Sequence, residues 1–295
     1  MRKGFKVRPF DCSLRDASGV LEVDQATFGD CPYSPETIVA LEADPNQYLW
    51  VAQEGERVVG FVSAFQTHSL AASRWEVDEL AVHPSAQRRG VGTALVLQAL
   101  EERICHPALM KARALVSTNN VASQRVFIKN GFSPISKGDL LLYQVAGRVP
   151  RPRLVGMPVV RRADSGDAVA VADLAGCSTT RTAAILKGKG TRVLIGVRGS
   201  AVCGYAELVH VRTLQYEGIW VESLVVLDGD VRTARALFLR AIEDAKRCEE
   251  IDEVGYLVPR QEDVSYRAAI GEGFKKEKEY LVFERDLSRE SACLR

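Results

Sequence analysis

The sequence predicts an α/β protein made of two tandem domains, each a mixed, mostly antiparallel twisted sheet flanked by helices. Three observations carry this expectation. The chain of 295 residues is about twice the length of an ordinary domain. Strand-like and helix-like periods alternate along it, interrupted by a hairpin turn at Gln53-Glu54-Gly55-Glu56. A pattern also recurs about 144 residues downstream. Arg57 to Ala64 resembles Ala201 to Leu208 with Gly60 opposite Gly204, Trp75 to Val82 resembles Ile219 to Val226, and Asn130-Gly131-Phe132 matches Glu272-Gly273-Phe274.

In the first half the periods predict a strand at 5–9, helices at 14–27 and 35–43, and strands at 48–53, 57–66 and 74–82. A helix at 91–105, a strand at 112–117, a helix at 120–130 and a last strand at 139–145 complete it. Between Gly147 and Arg153 two prolines and three arginines break the periodicity and mark a linker. The expected boundaries are therefore 1–148, a linker at 149–156, and 157–288.

Apolar residues form 46% of the chain and charged ones 26%, enough for a core and a solvated surface. Lys and Arg number 39 against 38 Asp and Glu, so no global basic field draws in nucleic acid or an anionic membrane. No stretch reads as a signal peptide or a spanning helix, and a cytoplasmic monomer or homodimer is expected. Seven cysteines stand singly, and four histidines form no ligand spacing with them, so no metal site is predicted.

After the apolar run Leu80-Ala81-Val82, the loop His83 to Ala86 leads into Gln87-Arg88-Arg89-Gly90-Val91-Gly92, which opens a helix. The glycines let the backbone turn so that several N–H groups converge, and the helix start and both arginines favour an anion there. A pyrophosphate fits such a cradle. The spacing is neither that of a Walker loop nor of a dinucleotide fingerprint.

Together with Asn120-Val121-Ala122-Ser123-Gln124-Arg125-Val126-Phe127-Ile128-Lys129-Asn130-Gly131-Phe132, the run Gln87 to Leu95 resembles the acetyl-CoA signature of the GCN5-related N-acetyltransferase (GNAT) family. The resemblance spans most of 5–145 and, more weakly, 157–286. It implies acetyl-CoA as co-substrate. The backbone of Leu80, Ala81 and Val82 would pair with the pantetheine arm, and N–H groups from Gln87, Arg88, Arg89, Gly90, Val91, Gly92, Thr93 and Ala94 would hold the pyrophosphate. Asn120, Ser123 and Phe127 would face the cofactor.

Acetyl transfer to an amine needs a group to take a proton from nitrogen and a means of stabilising the thiolate. Glu76, Asp78 and Glu79 lie on the strand beside the expected thioester; Glu76 is the first candidate base and Glu79 the second. The family's tyrosine acid is replaced here by Phe127, so Tyr143, Tyr33 or water would have to serve. The acceptor cleft is expected from loops near 28–35, 67–74 and 133–138. In the second half, a constant offset sets Ala234 and Ala236 against Gly90 and Gly92, which implies a degenerate domain without acetyl-CoA binding. The expected function is N-acetylation of a small amine or peptide; the alternative is a non-catalytic acetyl-CoA sensor.

Overall fold

The computed structural model describes residues 4–29, 31, 33–102, 109–146, 155–188, 190–214, 216–259 and 263–288. All but the last two positions of the expected linker, as well as Cys105, His106 and Cys293, lie outside them. The first half runs β1 (Lys6–Pro9), α1 (Leu14–Phe28), α2 (Pro35–Glu42), β2 (Gln47–Glu54), β3 (Arg57–His68), β4 (Ser73–Val82), α3 (Val91–Glu102), β5 (Lys111–Ser117), α4 (Val121–Lys129) and β6 (Ser133–Gln144). The second repeats it as β7 (Val159–Arg162), α5 (Ala168–Ala175), α6 (Thr179–Lys187), β8 (Thr191–Arg198), β9 (Ala201–Arg212), β10 (Glu217–Val226), α7 (Val231–Lys246), β11 (Glu253–Pro259), α8 (Asp263–Glu272) and β12 (Lys275–Asp286).

Local chemistry explains most of the starts. Ser13, Ser34 and Ser178 cap α1, α2 and α6 by accepting a backbone N–H in the first turn, each from an extended conformation. Alternation along β2 sends Trp50 and Ala52 into the core beneath α3, and Leu49 and Val51 into the core beneath α1 and α2. Gly60 and Gly204 have matching jobs. A Cβ on Gly60 would stand 3.1 Å from Val91 Cγ1, and one on Gly204 3.0 Å from Thr233 Cγ2, so each glycine admits the start of the next long helix against its strand.

The expected mixed sheets flanked by helices are present, joined edge to edge into one twelve-stranded sheet of order β1-β2-β3-β4-β5-β12-β6-β11-β10-β9-β8-β7. Only β4–β5 and β10–β11 run parallel. The last strands are exchanged between the halves. β12 pairs with β5 and places Phe283 and Leu287 in the first core, while β6 pairs with β11 and places Leu141 and Tyr143 in the second. The hairpin tips cross over too: Leu70 enters the core of the second half and Leu214 that of the first.

A fragment ending at residue 148 therefore lacks the strand that fills its own sheet next to β5. Losing the buried Phe283 and Leu287 removes about 2–5 kcal/mol of packing for each. Circular dichroism of residues 1–148 alone should show no cooperative melt as a monomer, and addition of residues 149–295 should restore one. A cooperative monomeric melt of the fragment would contradict the exchange.

Candidate active site

The site begins with a break in pairing. β4 and β5 share rungs only at Arg74–Lys111, Trp75–Ala112 and Glu76–Arg113, after which the ladder ends and the strands diverge. On its other edge β4 bulges against β3: Val62 stands opposite Leu80 and Ala64 opposite Val77, so Asp78 and Glu79 share the place facing Ser63. Ser63 Oγ accepts the Glu79 N–H at 3.2 Å. The bulge turns two carboxylates toward the diverging strands. Ala81 points to the opposite face, into the core with Phe61, whereas Leu80 and Val82 are half-buried.

At the outer end of β4 lies the Gln87 to Gly92 loop. Arg88 (φ +58°) and Gly90 (φ +87°) both occupy the left-handed region, and Arg88 does so as a non-glycine residue. Alternating backbone hands of this kind point successive N–H groups into one concavity. A Cβ built on Gly90 meets no atom within 4 Å, so the space above the loop is open. A Cβ on Gly92 would stand 3.6 Å from Val82 Cγ2, which ties the loop to the end of β4. Val91 is buried, while Thr93 and Ala94 are half-buried on the first turn of α3.

The polar side chains of the loop divide by role. Gln87 Nε2 donates to Val82 O at 3.1 Å and braces the turn, and Arg89 forms a two-pronged pair with Glu54, both contacts at 2.9 Å. Arg88 is exposed and has no side-chain partner among the described residues. His83 accepts the Ser85 N–H as the cap of a short 3-10 turn, a structural use of that residue.

The splay opens into a cavity of about 610 Å³ bordered by both halves. Leu80, Asn120, Ser123 and Phe127 line it on the cofactor side, so four of the expected binding residues meet there. Asn120 caps α4 through the Ser123 N–H at 3.1 Å, and Phe127 packs edge-on to Phe132 with centroids 5.1 Å apart. The second half supplies Thr213 and Tyr216 from its hairpin tip and Trp220 and Glu222 from β10. The expected loops contribute differently. Phe28 reaches the cavity, 67–74 are largely strand ends whose tip docks on the second half, and 133–138 open β6 instead of forming a loop.

The three carboxylates of β4 differ sharply. Glu76 sits between Arg113, at 2.8 Å, and Arg74, at 3.3 Å; both guanidiniums also bind Glu222 of the second half. Burial works to raise its pKa, but those two charges outweigh it and hold Glu76 below the usual carboxylate range. Its geometry is that of an ionised member of a buried ion-pair ring joining the halves. Asp78 is pushed up to about 6, first by burial and then by the Glu76 charge, against hydrogen bonds from Thr213 and Ser63. Its side chain nevertheless remains open to the cavity's solvent. Glu79 is raised well above the carboxylate range by burial, followed by the charges of Asp78 and Asp24, which favours its protonated form.

The hydroxyls are redistributed as well. Tyr143 cannot reach the site: it belongs to the exchanged strand, lies in the core of the second half and packs at a tilt against Phe274, with centroids 5.5 Å apart. Tyr33 donates to Asp24 at 2.6 Å beside Cys31, whose thiol is pushed up to about 12 chiefly by burial. A phenol that sequence reasoning missed, Tyr280 of β12, stands opposite Ser117 and lines the cavity with Phe127. None of the described residues hydrogen-bonds its hydroxyl, and burial followed by the Asp78 charge raises its pKa.

The second half corrects the alanine alignment. α7 starts at Val231 after a 3-10 turn at 227–229, with only Asp230 between them, where the first half has four residues, 87–90. Ala234 and Ala236 therefore lie inside α7 and in the core, not in a loop. Asp230 accepts the Arg232 N–H at 3.0 Å and the Thr233 hydroxyl at 2.6 Å, and pairs with Arg198 at 2.7 Å. The anion position at this helix start is filled by the protein's own carboxylate.

Residues 19–132 match the model of the acetyltransferase (GNAT) family, and the match ends just before the exchanged strand β6. No curated protein sequence matches the chain. Among solved structures, a GCN5-related N-acetyltransferase from Sphaerobacter thermophilus is 14% identical, covering 96% of this chain and 95% of its own, with a TM-score of 0.61. A tandem GNAT protein from the clavulanic acid biosynthesis pathway is 18% identical over 96% of this chain and 98% of its own, at TM-score 0.55. A GCN5-related glucosamine N-acetyltransferase region of a fungal multi-domain β-N-acetylglucosaminidase is 16% identical over 96% of this chain and 38% of that one, at TM-score 0.61. At these identities the likeness is one of fold. Among the described residues no helix is long and apolar enough to cross a membrane.

Proposed function

Because residues 19–132 match the model of the GNAT acetyltransferase family, we propose that the chain transfers the acetyl group of acetyl-CoA to a primary amine of a small molecule or peptide by direct attack. One observation carries this reading. The unpaired stretch of β4 and a carboxylate of raised pKa meet at a cavity between the halves, and the left-handed loop lies at the outer end of that same strand.

In this reading the backbone of Leu80, Ala81 and Val82 lies along the pantetheine arm, and the N–H groups from Arg88 to Ala94 hold the pyrophosphate with help from the Arg88 charge. Gln87 and Arg89 brace the loop. Asn120, Ser123 and Phe127 form the wall beyond. Asp78 is the base: it is ionised at neutral pH yet its pKa is close enough to 7 to exchange a proton. Glu76, locked between guanidiniums, maintains the ring that joins the halves, and its charge together with burial keeps the pKa of Asp78 high. The amine nitrogen gives its proton to Asp78 as the new C–N bond forms. Tyr280 protonates the departing sulfur, and the proton on Asp78 then restores the phenol.

The test combines calorimetry of acetyl-CoA binding with release of free CoA thiol on addition of amines. Saturable binding with amine-dependent thiol release is the expected result, and Tyr280→Phe should lower kcat about 10-fold or more while leaving acetyl-CoA affinity intact. Binding without release for any amine, amino acid or peptide would replace the enzyme by a sensor. Absence of binding would remove both.

A further inference from the structure

The far wall of the cavity is built from the second half, and its construction is specific. Trp220 of β10 lies across Gly255 of β11, which in turn pairs with Leu142 of the exchanged strand β6. A Cβ on Gly255 would stand 2.9 Å from the Trp220 ring, and one on Gly218 would stand 2.7 Å from the Tyr216 ring. Both glycines sit inside strands, where glycine is unfavourable unless something must come close. Here two aromatic rings do.

Tyr216 meets Trp220 edge-on, with centroids 6.2 Å apart, and its hydroxyl donates to Ile219 O at 2.8 Å. The indole is thus held in place as a fixed apolar surface. Leu142 and Leu257 extend that surface along the cavity. The charges lie elsewhere. Glu76 and Glu222 are matched by Arg74 and Arg113, and Glu79 favours its protonated form, which leaves Asp78 and Glu253 to set the sign of the lining against the single ammonium of Lys278. The cavity has an apolar aromatic floor and a carboxylate end at the bulge, beside the splay.

We infer that the acceptor is a primary amine carried on an alkyl or aryl body and lacking a carboxylate, its amine nitrogen directed to Asp78 and its body resting on Trp220, Tyr216 and Leu142. This rests on the transferase reading above. An amino acid or a peptide end would bring a carboxylate or a row of amides onto a surface that offers apolar contact and negative charge. The second half, whose own anion position is closed by Asp230, then sets the specificity of the first.

Matched pairs test it with the full chain and saturating acetyl-CoA: 2-phenylethylamine against phenylalanine, cadaverine against lysine, and a series of n-alkylamines. The decarboxylated member should be preferred by at least about 10-fold in kcat/KM. Along the alkyl series kcat/KM should rise about three- to fourfold per methylene until the floor is covered. Trp220→Ala should flatten that rise and lower kcat/KM for 2-phenylethylamine about 10-fold, with the calorimetric affinity for acetyl-CoA unchanged. Trp220→Leu, which keeps apolar volume, should lose the preference for aryl over alkyl amines and serves if the alanine variant does not fold. Equal or better use of phenylalanine, lysine or short peptides, or a flat alkyl series, overturns the inference alone. No thiol release with any amine, or absence of acetyl-CoA binding, overturns it together with the transferase reading.

Discussion

Gly90→Trp is expected to cut acetyl-CoA affinity at least about 100-fold, close to 3 kcal/mol, and to abolish thiol release. The geometry separates this loss from a loss of fold. The Cβ of any residue at 90 enters open space, so the indole meets no protein atom at its root, yet it fills the concavity toward which the loop's N–H groups turn. The left-handed φ of +87° adds a backbone cost of about 1–2 kcal/mol for any L side chain. Gly90→Ala carries that cost without the bulk, so it should lower the melting temperature much as Gly90→Trp does while weakening acetyl-CoA by a smaller factor. Calorimetry and a thermal melt on the two variants decide the matter. Wild-type affinity in Gly90→Trp would place the pyrophosphate elsewhere.

This loop also shows what a sequence can and cannot disclose. Gly90 was legible because a backbone that must turn left-handed leaves few choices of residue. The elements around it were legible from periodicity, and Gly60 and Gly204 exposed the repeat because both make room for a helix. The lost loop of the second half was hidden by the same repeat. A constant offset holds through β8, β9 and β10, then a deletion before α7 slides the helix interior under the loop, and Ala234 and Ala236 imitate mutated glycines. The start of β6 was hidden by Pro134 and Gly138, which read as a loop although the segment pairs with β12 and β11.

Strand exchange lies deeper still. The alternation in Leu141-Leu142-Tyr143 states that one face is buried but carries no address for the core that buries it. The wrong address for Tyr143 followed from this, and so did the omission of Tyr280, Tyr216 and Trp220, which reach the cavity from strands far along the chain. The surroundings of Glu76 were hidden for a different reason: its partners Arg74 and Arg113 and the Glu222 they share with it come from three strands, and only their convergence builds an ion-pair ring.

Asp78→Asn is expected to lower kcat by about 10²–10⁴-fold, the usual contribution of a positioned base, and to raise stability at neutral pH. The pH dependence follows from the direction of the shift. The carboxyl titrates at about 6 in the folded chain, above its unfolded value of 3.8. Its contribution to stability is then fully present below about pH 3.8 and is lost as the pH rises through about 6. Above that the ionised group works against the fold, and asparagine removes the penalty. Because the side chain is open to the cavity's solvent, the gain at pH 8 is on the order of 1 kcal/mol or less, a rise of a few degrees in Tm that disappears near pH 4. In parallel, the wild-type rate should climb with pH through about 6, and this limb should vanish in Asp78→Asn, leaving only the titration of the acceptor amine. Glu76→Gln should behave in the opposite way: it leaves Arg74 and Arg113 buried with one carboxylate between them, which costs about 3–5 kcal/mol of stability across neutral pH, and it keeps the limb but moves it below about 6, because the Glu76 charge no longer raises Asp78. A limb that survives in Asp78→Asn and disappears in a folded Glu76→Gln would return the proton to the residue first singled out on the strand.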